Sequence, residues 1–185
     1  MKNTLLPLLA FFATTMTGAA QEHDKPGHND MKDCPMHEQH MQQHDQAPQQ
    51  RDHDMEHRGN QGMGFAQDKT THHFLLSKDG GAIQVTANSA DDKASVEQIR
   101  MHLKHISHAF QSGDFNIPMF VHDQTPPGVL VMTKLKDQIH YKYEEVASGG
   151  RVLISSEDPE AVRAVQEFLR FQITEHKTGD KLEAK

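Results

Sequence analysis

Two double glycines, Gly80-Gly81 and Gly149-Gly150, sit in matching surroundings and constrain the fold more than any other feature of the sequence. Before the first pair, His72 to Lys78 (HHFLLSK) is a strand candidate. After it, Ala82 to Ala87 (AIQVTA) alternates, with Ile83, Val85 and Ala87 on one face. Asp79-Gly80-Gly81 supplies a turn, because Asp-Gly and Gly-Gly allow positive φ. A helix is expected next, capped by Asn88 or Ser89, carrying Asp91 and Asp92 in its first turn and stopped by Gly113.

The second half repeats the plan. Ile139 to Val146 (IHYKYEEV) alternates, with Ile139, Tyr141 and Tyr143 facing one way; Ser148-Gly149-Gly150 turns the chain, and Arg151 to Ser156 forms a strand. Asp158 caps a helix with Pro159 at its first position, running to about His176. Superposing the glycine pairs aligns both strands and both helices, with a three-residue insertion before the first helix; Val96, Ile99 and Leu103 then overlay Val162, Val165 and Leu169. Duplication of this kind specifies organisation. The predicted fold is α+β: a duplicated ββα unit giving a four-stranded, largely antiparallel sheet with two helices on one face. One unit alone has nothing to bury its apolar face against, so the halves are expected to form one domain, residues 64–185, with repeats over about 70–113 and 139–179. The connector, 114–138, matches neither repeat, and Val129 to Gln138 within it suits a short helix or a further strand. Its length marks it as a functional segment or a plain crossover.

The N-terminal third is different. Lys2, the apolar run Leu5 to Ala13 and the small residues Gly18-Ala19-Ala20 have the order of a secretory signal peptide, residues 1–20. The run is too short to span a bilayer. The expectation is a periplasmic or secreted protein with no membrane anchor after signal cleavage. Net charge is −7, which argues against nucleic acid as a partner. One Cys excludes an internal disulfide framework.

Residues 21–63 lack apolar periodicity and hold almost no aliphatic side chain, the composition of a disordered tail. They nevertheless carry seven His, five Met and Cys34. His-rich tracts are read as metal binding. Thioether and thiolate donors favour Cu(I), whereas imidazole also accepts Cu(II), Zn and Ni. A copper ion suits this mixture best, with zinc or nickel as alternatives. The candidate ligands of the tail are Cys34, Met36, His37, His40, Met41, His44, His53 and His57.

Within the tail, Cys34-Pro35-Met36-His37 resembles the Cys-Pro-Met-His core of the heavy-metal-binding motif near the N-termini of copper-translocating P-type ATPases and periplasmic metal-efflux adaptors. The resemblance covers four residues. Lys32 stands where that motif has an aromatic, Glu38 where it has a proline, and no second Cys follows. It implies a copper or heavy-metal context, with Cys34, Met36 and His37 as ligands.

In the first predicted helix, Val96, Ile99, Leu103, Ile106 and Phe110 form the apolar stripe, while Met101, His105 and His108 fall opposite, with His102 at the edge. This outward stripe is a second candidate metal site or a set of solvated polar residues. His72 and His73, adjacent on a strand, point to opposite faces. His122, in the connector, is a further candidate ligand.

Signatures of enzymes are missing: there is no nucleophile elbow, phosphate loop, His-Glu-x-x-His or Cys-x-x-Cys-His. The sequence favours binding over turnover. It points to capture, buffering or resistance toward copper, with metal ions and an envelope metal-efflux or chaperone protein as partners. Two alternatives stand beside it: an envelope protein-interaction domain with a passive His-rich tail, and a small cofactor-binding or enzymatic domain in which His72, His105 and His122 converge.

Overall fold

The computed structural model describes residues 48–184. The signal segment and the candidate ligands Cys34, Met36, His37, His40, Met41 and His44 lie outside the described residues. The elements run α1 (Pro48–Met63), β1 (Thr70–Ser77), β2 (Gly80–Ala87), α2 (Lys93–Ser112), α3 (Asn116–His122), α4 (Val129–Lys134), β3 (His140–Val146), β4 (Gly149–Ser155) and α5 (Pro159–Glu175), with 3-10 turns at Gln67–Lys69 and Lys136–Gln138.

The fold is the α+β architecture expected from the duplication. The sheet order is β1-β2-β4-β3, and every neighbouring pair is antiparallel. The two repeats meet at the central pair β2–β4, in a register that sets Gly80 opposite Ser155 and Thr86 opposite Gly149. Each helix crosses to the other repeat's hairpin. α2 packs chiefly on β3 and β4, and α5 on β1 and β2. Apolar burial from each half therefore depends on the other.

The glycine pairs serve this crossing more than the turn. Of the four, only Gly80 has a positive φ, at 145°. A Cβ on Gly81 would lie 2.3 Å from Leu169 Cδ1 and 2.2 Å from the Leu75 carbonyl oxygen. At the matching position, a Cβ on Gly150 would lie 3.1 Å from Leu103 Cδ1 and 2.9 Å from the Tyr143 ring. Each repeat thus keeps a bare backbone position where the leucine of the other repeat's helix comes down on the sheet.

The core comprises Ile83, Val85, Val152 and Ile154 of the sheet, Ile99, Leu103, Ile106 and Phe110 of α2, and Val165, Phe168 and Leu169 of α5. Tyr141 and Tyr143 pack against it from β3.

Two expectations need correction, and one open alternative resolves to a helix. The first helix is capped by Asp92, whose side chain accepts from the Ser95 N–H at 3.1 Å, rather than by Asn88 or Ser89. The three inserted residues displace the helix start. Asn88 instead accepts from the Thr71 hydroxyl at 2.7 Å, and Ser89 accepts from the Asp91 N–H at 3.3 Å. Asp92 is thereby the counterpart of Asp158, which caps α5 as expected. The connector forms the helices α3 and α4 with no additional strand.

The second correction concerns the tail. Residues 48–63 are not disordered but form α1, so the folded unit extends beyond residue 64 toward the N-terminus. This helix has no apolar face to announce it. It docks on α3 by other means: Arg58 Nε donates to the Val121 carbonyl oxygen at 2.9 Å, and Gly62 faces Phe120 and Val121 of α3. Asp52 pairs with Lys177 beyond the end of α5.

Candidate functional site: a histidine-lined cavity

A cavity of about 70 Å³ lies between β1, β2, α2, α3, α5 and the end of α1. Its walls are mostly apolar, with Phe74, Ile106, Phe110 and Phe168 prominent. Into this surface project four imidazoles, those of His72, His102, His122 and His176, together with the Met63 thioether and the Gln172 carboxamide.

Local structure explains how each arrives. His72 and Phe74 occupy alternate positions of β1 and share its inner face. His73, as strand geometry requires, points the other way; its Nδ1 lies 3.0 Å from Asp180 Oδ1, and the other oxygen of that carboxylate accepts from the Phe74 N–H at 2.9 Å. His102 precedes Ile106 and Phe110 at helical spacing, and all three line the cavity. His122 closes α3 and is buried, at 7% exposure. Phe168, Gln172 and His176 follow one another at four-residue intervals along α5, His176 being its C-cap.

The rings meet one another. His72 and His176 are stacked, and His176 meets His122 nearly edge-on, 5.1 Å between centroids and 79° between planes. Phe65 stacks on His72 and presents an edge to His102. His122 Nε2 lies 3.0 Å from Gln172 Oε1. An N–H donated to that carbonyl leaves the Nδ1 lone pair free. Nδ1 is buried without a partner, as are His72 Nε2 and Gln172 Nε2. Three unpaired buried nitrogens around one small cavity are unusual, since buried polar groups are nearly always satisfied.

Burial keeps these imidazoles neutral. It pulls His72 down to about 4, helped by the neighbouring His73. His102 falls to about 4, by burial and then by the charges of His72 and His105. His176 falls to about 3, by burial and then by His72 and His122. Burial also lowers His122, although the hydrogen bond it donates to Gln172 and the charge of Glu175 oppose it. A neutral imidazole is the form that ligates a metal ion.

The predicted site residues separate into groups. His102 and His122 come together in the cavity. Met101, His105 and His108 lie on the solvent face of α2, as the helical periodicity implies, with Met101 58% exposed. His105 is therefore not part of any convergence with His72 and His122, contrary to the enzymatic alternative. His53 and His57 are exposed one turn apart on α1. Among the described residues, no three His, Cys, Asp or Glu side chains are already arranged to hold a metal ion.

Sequence reasoning overlooked His176, Gln172 and the cavity role of Met63. A signal existed for the first two: a Gln and a His continue the apolar stripe of α5 after Phe168. Polar residues on the buried face of an amphipathic helix mark a site or a buried hydrogen bond. No protein-family model, curated protein or solved structure matches this chain.

Proposed function

We propose that this chain is an exported metal-binding protein, most specifically for copper, whose folded domain holds an ion in the histidine-lined cavity. One observation carries the reading: four neutral imidazoles and a thioether converge on a single small cavity that contains buried nitrogens without partners. Imidazole and thioether together are the donor set of copper chemistry. Rotation of the rings would turn the unpartnered nitrogens of His72 and His122 toward one ion.

In this reading the tail captures or buffers ions through Cys34, Met36, His37, His40, Met41, His44, His53 and His57, in the periplasm or medium. The exposed Met101, His105 and His108 add weak surface sites. An envelope efflux or chaperone protein would receive the metal. The cavity supplies what the tail lacks, a site of fixed shape.

The test is the number of copper ions that the full chain retains after desalting, set beside that of His72→Phe and His176→Phe variants. Each substitution keeps a ring of similar size and removes the nitrogens. The reading predicts one tightly held ion fewer in both. Retention of the parent's full number by both variants would refute it.

A further inference from the structure

Two of the cavity's imidazoles have a second surface. His122, besides lining the cavity, borders a cleft between α1, the end of α3 and the end of α5. His176 borders a neighbouring cleft between α1, the Gln67–Lys69 turn and the end of α5. Four residues, Asp52, Met55, Glu175 and Lys177, belong to both clefts. They include both members of the Lys177–Asp52 ion pair. His122 and His176 therefore form a wall with the cavity on one side and α1 across a cleft on the other.

Lys177 holds its place against a backbone preference. The N–H of Lys177 donates to the Thr174 carbonyl at 3.3 Å and that of Thr178 to the Ile173 carbonyl at 3.3 Å, which closes α5 in a Schellman turn. The residue after the cap in this turn is left-handed, and Lys177 has φ 51°. Glycine is the usual occupant, because a Cβ is disfavoured there. Non-glycine residues held in this region gather at functional segments. Glycine would end α5 equally well, but it has no side chain to reach α1.

The helix it reaches is lightly held. α1 packs chiefly on α3 and has no apolar face. Gly64, at φ 74°, follows its last residue as a ready hinge. The side chains of Lys177 and Asp52 are 68% and 49% exposed, so their pair is weak and easily parted. We infer that α1 is a lid over the His122–His176 wall of the cavity and that the Lys177–Asp52 pair is its latch. When the pair parts, the N-terminal part of α1 lifts and the two imidazoles open to solvent. The device goes beyond the proposed function, since it operates whatever the cavity binds.

Carbethoxylation of the full chain by diethyl pyrocarbonate, without metal and followed at each histidine by mass spectrometry, tests the latch. Lys177→Gly should speed reaction at His122 and His176 by about two- to fivefold, the range that loss of one exposed ion pair allows. Asp52→Asn, which breaks the pair from the other side and leaves α5 untouched, should give the same rise. Added salt should speed the parent toward the variants and leave the variants unchanged. Lys177→Gly should not lower the unfolding midpoint, because glycine adopts the left-handed turn without strain. A residue that merely supported the fold would not combine faster reaction with an undiminished midpoint. The exposed His105 and His108 should react alike in all three proteins. Equal rates at His122 and His176 in the parent and both variants overturn the latch. So does a rise that extends equally to His72 and His102 and accompanies a lower midpoint, the mark of general loosening. Copper retention, which decides the proposed function, plays no part in either outcome.

Discussion

The imidazoles of His72 and His176 lie parallel, 7° apart, with 5.8 Å between their centroids. One comes from the first strand of the first repeat and the other from the end of the second repeat's helix. The pair exists because each helix packs on the other repeat's hairpin, which carries the end of α5 over β1. The cavity is thus a product of the duplication, yet it is not symmetric. His176 corresponds to Phe110 of α2, and His102 corresponds to Phe168 of α5. The same two-helix scaffold presents rings at both positions, and in each case one repeat has imidazole where the other has phenyl.

Acid should weaken the fold within a defined window. The unfolded chain protonates its histidines near 6.5, whereas the folded chain resists protonation of His72 and His102 until about 4 and of His176 until about 3. Between these values the unfolded state binds more protons, so stability falls as pH drops below 6.5 and is fully present above it. Each such imidazole contributes a slope of at most about 1.4 kcal/mol per pH unit. Urea unfolding at a series of pH values from 7 downward would reveal the slope, and His176→Phe should make it shallower.

The crossing of helices predicts matched losses in the core. Leu103 and Leu169 are 1% and 0% exposed and occupy equivalent positions. Leu103→Ala and Leu169→Ala should each cost about 2–5 kcal/mol. Gly81→Ala should also destabilise, because its new Cβ meets the rigid Leu75 carbonyl. Chemical denaturation of the three variants checks the set, and a Gly81→Ala protein as stable as the parent would contradict the packing described.

Docking of α1 depends on a few polar contacts. Arg58→Ala removes the bond to the Val121 carbonyl and should cost about 1 kcal/mol locally. Amide exchange over residues 50–62 should accelerate while that of β2 and β4 stays unchanged. Met63 stands at the end of this helix and on the cavity wall, so the same variant should also weaken Cu(I) binding.

The outward stripe of α2 should be dispensable to both fold and cavity. His105→Ala and His108→Ala, at exposed positions, should change stability by no more than about 0.5 kcal/mol. They should also leave intact the rise in unfolding midpoint that a Cu(I) ion held in the cavity produces. A rise abolished by either substitution would move the metal site to the surface of α2.

Much of the fold was legible because it is written in local codes. Alternation over Ala82–Ala87 marked β2, the stripe from Val96 to Phe110 marked α2, and Asp158-Pro159 marked the start of α5. Superposing the glycine pairs was enough to give a four-stranded antiparallel sheet, but not its strand order. The site was only partly legible, since its donor side chains come from five separate elements and no spacing along the chain records their meeting. His102 and His122 were found as individual candidates. His176 was missed because it reads as a helix-ending residue, although its four-residue step from Gln172 placed it on the buried face. α1 was missed because a glycine and an arginine, rather than an apolar face, attach it to α3.

The most direct measurement follows the histidine side-chain nitrogen resonances of the full chain as Cu(I) is added anaerobically. The account predicts that signals of His72, His122 and His176 move to new positions and saturate together at one bound ion, distinct from those of His105 and His108. Signals of these three that stay in place while other histidines respond would contradict a metal site in the cavity.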